Sequence, residues 1–293
     1  MLSILIPVYN YDVVSLVRKL HEQAVELNIS FEIICLDDAS NLFTNENQQI
    51  NQFHNGSFFI LEKNIGRSAI RNLLAEKAAY QNLLFLDADT FPVHENFLLN
   101  YISKIDNREK IIYGGILYEK SKPSKEKLLR WIYGAKREAL SVFDREKNVH
   151  LSFLTLNFLI QKSIFSKVNF NESIPNLRHE DTLFSYDLMQ NEIDIVHIEN
   201  PVYHLGIENS STFLIKSEEA VLGLKNLVDS DLISKDYVKL SHYFQILKKF
   251  RLQFLVSFAF KILKPLFKKQ LLGKNPSLFL FDLYRLGYYC SIN

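Results

Sequence analysis

The stretch Leu83-Leu84-Phe85-Leu86-Asp87-Ala88-Asp89-Thr90 is the most informative part of this 293-residue chain. Its four consecutive apolar residues predict a fully buried strand, and two carboxylates, Asp87 and Asp89, follow that strand directly. In an open α/β sheet, ligands bind beyond the carboxyl ends of the strands. Hard divalent cations prefer oxygen ligands and usually take one or two carboxylates together with substrate phosphates. The stretch therefore predicts a strand end that holds a metal ion and a diphosphate.

Two β–α units precede this stretch and predict a parallel sheet. The first contains an apolar strand over 3–8 and a polar turn over 9–12, which a helical pattern follows. The second begins with a strand over 31–36 and runs into Asp37 and Asp38. Strands that alternate with helices in this way are typical of a parallel sheet with helices packed on it. A single aspartate often caps a helix, but two adjacent ones at a strand end favour a role in binding.

The segment 64–72 predicts a turn followed by a helix with two arginines on one face. Gly66 permits the turn, and Arg67 and Arg71 lie four residues apart, which places them on the same side of a helix. A guanidinium group matches the oxygens of a phosphate geometrically. Each arginine is therefore a candidate for contact with a diphosphate. The simpler alternative is that it is a solvated charge on the surface.

In this order and spacing, these motifs resemble those of the family-2 inverting glycosyltransferases with a GT-A fold. The segments that carry the resemblance are Ser3–Asn10, Leu36–Ser40, Asn64–Asn72, Leu86–Asp89 and His179–Asp181. The resemblance covers roughly the first 205 residues. We therefore expect an α/β catalytic domain over 1–205, with a GT-A (Rossmann-like), mostly parallel sheet flanked by helices. For 206–293 we expect a mostly helical region that is basic and amphipathic.

The resemblance also implies an activity and a set of site residues. The implied enzyme moves a hexosyl or hexosaminyl group from a nucleotide-diphosphate-sugar, most simply a UDP-sugar, to a glycan or lipid-linked acceptor, with inversion and with Mn²⁺ or Mg²⁺. By their positions in the motifs, the donor-binding residues are Pro7, Tyr9, Asp38, Asn64, Arg67, Arg71, Asp87 and Ala88. Asp89 is the expected principal metal ligand, with Asp87 and His204 as further candidates.

The chemistry assigns a separate role to the acidic pair at 180–181. Inverting transfer is a single in-line displacement, so the attacking hydroxyl needs a general base, which typically contributes ~10²–10⁴-fold. We expect Asp181 to be that base, with Glu180 as the second candidate. The pair is predicted to open a helix, whose dipole lowers the pKa of a carboxylate. Neighbouring groups must therefore raise that pKa if Asp181 is to act as a base.

Composition limits the remaining possibilities. Two cysteines, Cys35 and Cys290, are too few for a disulfide framework or a zinc site, which favours a reducing compartment. No run reaches the ~20 uninterrupted apolar residues that a membrane-spanning helix needs, and no signal peptide is visible. We expect a cytoplasmic location, with possible peripheral contact at the inner face of the membrane.

The charge of the chain is concentrated near its end. Residues 235–274 contain ten lysines and arginines and one aspartate, a net charge of +9 in a chain of net charge +1. Apolar and aromatic residues alternate with these cations at helical spacing. The pattern fits a helix that lies on an anionic membrane, and it equally fits a helix packed on the catalytic domain with solvated lysines. No base-reading motif is present, so nucleic acid is not an expected partner.

Two other functions compete with glycosyl transfer. A catalytically silent protein that binds a sugar nucleotide or a glycan could have the same fold, because fold does not determine function. A nucleotidyltransferase would also use carboxylate-bound metal and a nucleotide. It would need a glycine-rich phosphate loop after the first strand, and Pro7-Val8-Tyr9-Asn10 is not such a loop.

Overall fold

Strands and helices alternate along most of the chain, and helices alone follow from residue 210 onward. The computed structural model describes residues 1–106, 108–174 and 178–292. Its strands are β1 (Leu2–Val8), β2 (Phe31–Asp37), β3 (Gly56–Ile60), β4 (Asn82–Leu86), β5 (Thr90–Pro92), β6 (Lys110–Tyr113), β7 (Ile116–Leu117), β8 (Asn157–Gln161), β9 (Asp194–His197) and β10 (Val202–His204). Its α-helices are α1 (Val14–Glu26), α2 (Thr44–Asn47), α3 (Arg67–Lys77), α4 (Phe97–Ile102), α5 (Leu128–Tyr133), α6 (Val142–Glu146), α7 (Lys162–Lys167), α8 (Glu180–Gln190), α9 (Ser210–Asp229), α10 (Lys239–Lys249), α11 (Gln253–Leu271) and α12 (Leu278–Ser291). Single turns of other helix types span Gln48–Gln52, Lys125–Lys127 and Gly134–Glu138.

The main sheet has seven strands in the order β3-β2-β1-β4-β8-β6-β9. Strands β1 to β4 run parallel, as do β6 and β9, whereas β8 is antiparallel to both of its neighbours. The strand order reverses around β1, because β2 lies on one side of it and β4 on the other. Ligands of such sheets bind beyond the strand ends at this reversal. The predicted α/β class with a mostly parallel sheet is confirmed.

Apolar residues cover both faces of the main sheet. Along β1 the side chains alternate, so that Ile4 and Ile6 pack on the face that carries α1 and α4, and Leu5 packs on the opposite face. The opposite face is rich in aromatic side chains, and Phe170 and Phe184 stack there with ring centroids 4.2 Å apart. Burial on both faces explains why the strands read as continuous apolar runs rather than alternating ones.

A small second sheet begins with β5, which follows directly after the motif that ends β4. Its order is β5-β10-β7, with β10 antiparallel to β5 and parallel to β7. In this register His204 lies opposite Thr90. The second sheet therefore brings the end of β10 to the residues that follow β4.

The chain divides into two compact units. One contains Met1–Tyr118, Ala139–Asn176 and Glu180–Gly206, and it holds the strands of both sheets. The other contains Glu119–Glu138, Leu177–His179 and Ile207–Asn293. We call this second unit the helical unit. It includes the segment 119–138, which lies within the catalytic domain expected from the sequence. The division into domains at residue 205 remains a prediction.

The helical unit has an aromatic core of its own. Leu129 of α5 lies in this core together with residues of the C-terminal helices, namely Leu214, Phe260, Leu271, Phe281 and Tyr284. Helices α11 and α12 approach closely at Gly287, where an added Cβ would lie 2.5 Å from Phe260 Cδ2. Over the described residues, no helix has both the length and the apolar character needed to cross a bilayer.

Candidate functional site

The turn after β4 is fixed by its backbone. The amide of Asp87 donates a hydrogen bond to the carbonyl of Leu156 at 3.0 Å. The carbonyl of Asp87 accepts hydrogen bonds from the amide of Thr90 at 3.1 Å and from its hydroxyl at 2.7 Å. These bonds make a tight turn that carries β4 into β5 and leaves the side chains of Asp87 and Asp89 at the strand end.

The residues at the end of β10 contact both the backbone and the carboxylate of Asp89. The amide of Leu205 donates to the carbonyl of Asp89 at 2.8 Å, and His204 Nε2 lies 3.4 Å from Asp89 Oδ2. At Gly206 an added Cβ would lie 2.2 Å from Asp89 Oδ2, so only glycine leaves room for the carboxylate in this position. His204 and Asp89 therefore meet, as the resemblance implied, and Gly206 is part of the same arrangement.

The loops after β1 and β2 form a second wall of the site. Asp38 is buried, and its two carboxylate oxygens accept hydrogen bonds from the amides of Ile65 at 2.7 Å and Gly66 at 3.1 Å. Asn64 Nδ2 donates to the carbonyl of Asp38 at 3.1 Å. Asp38 thus fixes the loop that leads into α3, and neither it nor the neighbouring Asp37 caps a helix.

The turn after β1 is held in an unusual backbone conformation. Asn10 has a φ of 51°, a left-handed value that asparagine tolerates better than most residues. Its side-chain oxygen accepts hydrogen bonds from the amides of Asn41 at 2.9 Å and Leu42 at 3.2 Å. This turn leaves the ring of Tyr9 exposed. Burial and the nearby charge of Asp89 raise the pKa of Tyr11, so its hydroxyl stays protonated.

Helix α3 places two arginines at the strand ends, as the sequence predicts. Arg71 Nη2 donates to Asp87 Oδ1 at 2.8 Å, and Arg71 Nη1 lies 3.8 Å from Glu180 Oε1. Arg67 Nη1 lies 3.5 Å from the same Glu180 oxygen. Burial alone would lower the pKa of Arg71, but Asp87 and Glu180 raise it above its usual value, so the guanidinium stays charged. The structure thus joins Arg71 to two of the predicted acidic residues.

Removing Arg71 should destabilise the protein far more than removing Arg67. The Arg71 side chain is 5% exposed and the Arg67 side chain 47% exposed. Arg71→Met leaves Asp87 and Glu180 without their buried partner, so we expect the free energy of unfolding to fall by roughly 3 kcal/mol. Arg67→Met removes only a surface ion pair and should cost less than about 1 kcal/mol. Urea unfolding of both variants measures the difference, and equal losses would contradict the buried role of Arg71.

The acidic pair opens α8, as the sequence predicts. Asp181 Oδ1 accepts a hydrogen bond from the amide of Thr182 at 2.7 Å. Burial and the neighbouring charge of Glu180 raise the pKa of Asp181 to about 6, although that amide, Arg71 and Arg67 act in the opposite direction. The lowering expected from the start of a helix is therefore outweighed. Asp181 has the raised pKa that a base requires, whereas Glu180 is paired with two arginines.

One cleft joins most of the predicted donor and metal residues. Its described lining consists of Pro7, Val8, Tyr9, Tyr11, Asp38, Arg67, Ile70, Arg71, Asp87, Ala88 and Asp89. We call it the strand-end cleft. Asn64 lines a different cavity, on the side of α3 that faces α7, and it acts on the strand-end cleft through its bond to Asp38. Tyr11 and Gly206 are two residues of this region that the sequence motifs did not predict. Their only signal was position: Tyr11 lies within the first turn, and Gly206 lies two residues beyond His204.

The residues around Asp89 fit a divalent cation that is shared with a bound diphosphate. His204 Nδ1 is buried without a hydrogen-bond partner in the described chain, and Nε2 faces Asp89 Oδ2. The 3.4 Å between these two atoms is short enough for both of them to bind one ion. Over the described residues, no group of three or more His, Cys, Asp or Glu side chains forms a complete metal site. That is compatible with an ion that takes its other ligands from phosphate and water.

Comparison with known proteins identifies a family. The family model described as glycosyl transferase family 2 matches residues 3–169, more than half of the chain. No curated protein that was compared matches the chain in sequence.

Solved structures share the fold. S. aureus TarS has 16% identity and a TM-score of 0.50; the alignment covers 75% of this chain and 39% of that one. S. aureus TarS 1–349 in complex with UDP-GlcNAc has 15% identity and a TM-score of 0.51, over 99% of this chain and 89% of that one. A mannosyltransferase from Pyrobaculum calidifontis, PcManGT in complex with GDP-Man and Mn²⁺, has 11% identity and a TM-score of 0.53, over 78% of this chain and 64% of that one. The predicted GT-A fold is confirmed.

Proposed function

Because the chain belongs to glycosyl transferase family 2, we propose that it transfers a sugar from a nucleotide-diphosphate-sugar to an acceptor hydroxyl. The observation that carries the proposal is the strand-end cleft, where Asp38, Arg67, Asp87 and Asp89 line one space at the reversal of the strand order. A nucleotide needs polar groups for its base and ribose and positive charge for its phosphates. The cleft offers both, beside the carboxylates that a metal ion requires.

The donor we propose is a UDP-sugar that carries a hexosyl or hexosaminyl group. The exposed ring of Tyr9 and the adjacent Pro7 offer an apolar surface for the uracil ring. The carboxylate of Asp38 would accept a hydrogen bond from N3–H of the base, while its existing bonds to Ile65 and Gly66 hold it in place. A similar structure was solved with UDP-GlcNAc bound, which supports this choice of donor.

Asp89 and His204 would hold a Mn²⁺ or Mg²⁺ ion, and Asp87 is the third candidate ligand. When bound, such an ion neutralises the negative charge that develops on the leaving diphosphate. One oxygen of Asp87 already accepts a hydrogen bond from Arg71 at 2.8 Å. Asp87 would therefore position the ribose and orient Arg71 as well as contribute to the metal site.

Asp181 would remove the proton from the attacking hydroxyl. The transfer is a single displacement with inversion, in which the acceptor oxygen bonds to the anomeric carbon as the bond to the diphosphate breaks. A carboxylate with a pKa of about 6 is ionised at neutral pH and is still basic enough to take a proton. Glu180 would hold Arg67 and Arg71 in place. The acceptor we propose is a hydroxyl of a glycan or of a lipid-linked glycan.

Gly206→Ala should weaken metal binding without unfolding the protein. The new Cβ would lie 2.2 Å from Asp89 Oδ2 and must displace that carboxylate. A shift of about 1 Å in a reacting group can cost ~10²-fold, so we expect a loss of that size in transfer and a weaker affinity for Mn²⁺. Calorimetric titration with Mn²⁺ measures the binding. The exposed neighbour Leu205 provides the control Leu205→Ala, which should behave like the wild type.

A panel of nucleotide sugars, assayed for metal-dependent hydrolysis and then for transfer, tests the proposed function. Release of UDP from one donor, with inversion at the anomeric carbon shown by NMR, is the expected result. Binding without turnover of any donor would favour a catalytically silent sugar-nucleotide or glycan-binding protein. Release of pyrophosphate would favour a nucleotidyltransferase instead.

A further inference from the structure

Helix α11 carries apolar residues on two opposite faces, and only one of those faces is buried. Phe260 is 4% exposed and packs edge-to-face on Tyr284 of α12 with ring centroids 5.2 Å apart. On the same side, Lys264 Nζ lies 3.0 Å from Glu218 of α9. These contacts fix the side of α11 that faces its own unit.

The other face of α11 is a continuous apolar surface exposed to solvent. Phe254 is 68% exposed and Phe258 is 66% exposed. With Leu255, Ile262 and Leu266, which are also exposed, they fall within an arc of about 120° at 100° per residue. We call these five residues the apolar face of α11. A surface of this kind, rimmed by polar groups, usually marks a site of interaction.

Positive charge borders this apolar face on one side and at both ends. Lys261 and Lys268 flank it on one side, and Lys269 lies at its C-terminal end. Lys248, Lys249 and Arg251 precede the helix. Over the described residues, no carboxylate is paired with Lys261, Lys269 or these three cations. The cations are therefore available to an external anion.

We propose that the apolar face of α11 inserts into the headgroup boundary of a bilayer that contains anionic lipids. The helix would lie in the membrane plane, with its lysines and Arg251 against the lipid phosphates. Pairing of two copies through this face would bring two segments of net charge +9 together, so an anionic surface is the better partner. The binding does not depend on the proposed transfer reaction, but it would bring the enzyme to acceptors carried on membrane lipids.

Co-sedimentation of the full chain with vesicles tests this proposal. We expect binding to vesicles of phosphatidylglycerol in phosphatidylcholine at low salt, with weaker binding at high salt because salt screens exposed charges. Vesicles of phosphatidylcholine alone should bind much less protein. A full chain that ignores the anionic vesicles at low salt would overturn the proposal.

Two variants with matched controls locate the surface. The first variant, Phe254→Ser/Phe258→Ser/Leu266→Ser, should weaken vesicle binding at least roughly tenfold. Its control, Leu99→Ser/Phe143→Ser/Ile215→Ser, changes exposed positions outside α11. The control should bind vesicles like the wild type. Lys261→Gln/Lys269→Gln should weaken it roughly tenfold or more, and the exposed pair Lys120→Gln/Lys122→Gln should have little effect.

Unchanged binding by either α11 variant would contradict the proposed surface. Sedimentation velocity supplies the remaining arm of the test. A dimer that disappears in the Phe254→Ser/Phe258→Ser/Leu266→Ser variant would assign the apolar face to a second copy of the chain. Circular dichroism of each variant checks that the helices remain intact.

Discussion

Asp89→Ala should lower metal-dependent turnover by at least roughly 10³-fold, because a metal that neutralises a leaving diphosphate contributes several kcal/mol to the transition state. The carboxylate lies at a strand end, about a third exposed, and not in the core. We therefore expect the thermal unfolding of the variant to resemble that of the wild type. Turnover at increasing concentrations of Mn²⁺, measured for both proteins, separates a lost metal ligand from a damaged fold.

Asp106→Ala is a suitable control for this experiment. The carboxylate of Asp106 is exposed, pairs with the exposed Arg108 and with the largely buried Lys110, and lies outside the strand-end cleft. Its replacement should leave both turnover and the requirement for metal unchanged. Wild-type activity that survives an excess of chelator would rule out the proposed metal, and a normal Mn²⁺ affinity in Asp89→Ala would assign the ion to other ligands.

Asp181→Asn should lower transfer by roughly 10²-fold or more while the affinity for the donor changes little. The amide keeps the shape of the carboxylate but cannot take a proton. The matched variant is Glu180→Gln, which loosens the ion pairs to Arg67 and Arg71 and should affect donor affinity as well as rate. A larger loss of rate in Glu180→Gln than in Asp181→Asn would exchange the roles of the two residues.

The raised pKa of Asp181 gives this prediction a second measurement. Wild-type transfer should fall as the pH drops below about 6, because Asp181 becomes protonated there. The residual activity of Asp181→Asn should lack this dependence. Because folding raises the pKa of Asp181, ionisation of its carboxyl group destabilises the folded protein. This loss of stability develops as the pH rises from about 4 to 6. Asp181→Asn should therefore be slightly more stable than the wild type at neutral pH, and chemical unfolding at several pH values measures this.

The sequence was sufficient to predict the strand ends and most residues of the cleft. Apolar runs that end in Asp38 and Asp87 predict the parallel strands. They also predict that the polar residues after these strands meet at the carboxyl-terminal edge of the sheet. The spacing of Arg67 and Arg71 predicts that they share a helix face, and both line the strand-end cleft. Each of these inferences depends on residues that are close in sequence. Over such short distances, the repeat of a helix or a strand determines which side chains share a face.

Contacts between distant segments could not be predicted in this way. Gly206 meets Asp89 only because β10 pairs with β5, and nothing in the local sequence specifies that pairing. Likewise, the partners of Arg71 lie at positions 87 and 180, so its spacing to Arg67 does not reveal that it is buried. The pKa of Asp181 also depends on the packed structure, because burial raises it and the start of the helix lowers it.

The position of Leu129 has a practical consequence for dividing this protein into modules. A fragment that ends at residue 205 would contain α5 but would lack Leu214, Phe281 and Tyr284, which belong to the same buried cluster as Leu129. It would also end one residue before Gly206, next to Asp89. Such a fragment would expose a hydrophobic helix and have a loose chain end beside the metal ligands. The two units are interleaved along the chain, so cutting or exchanging them requires breaks on both sides of 119–138 as well as after 206.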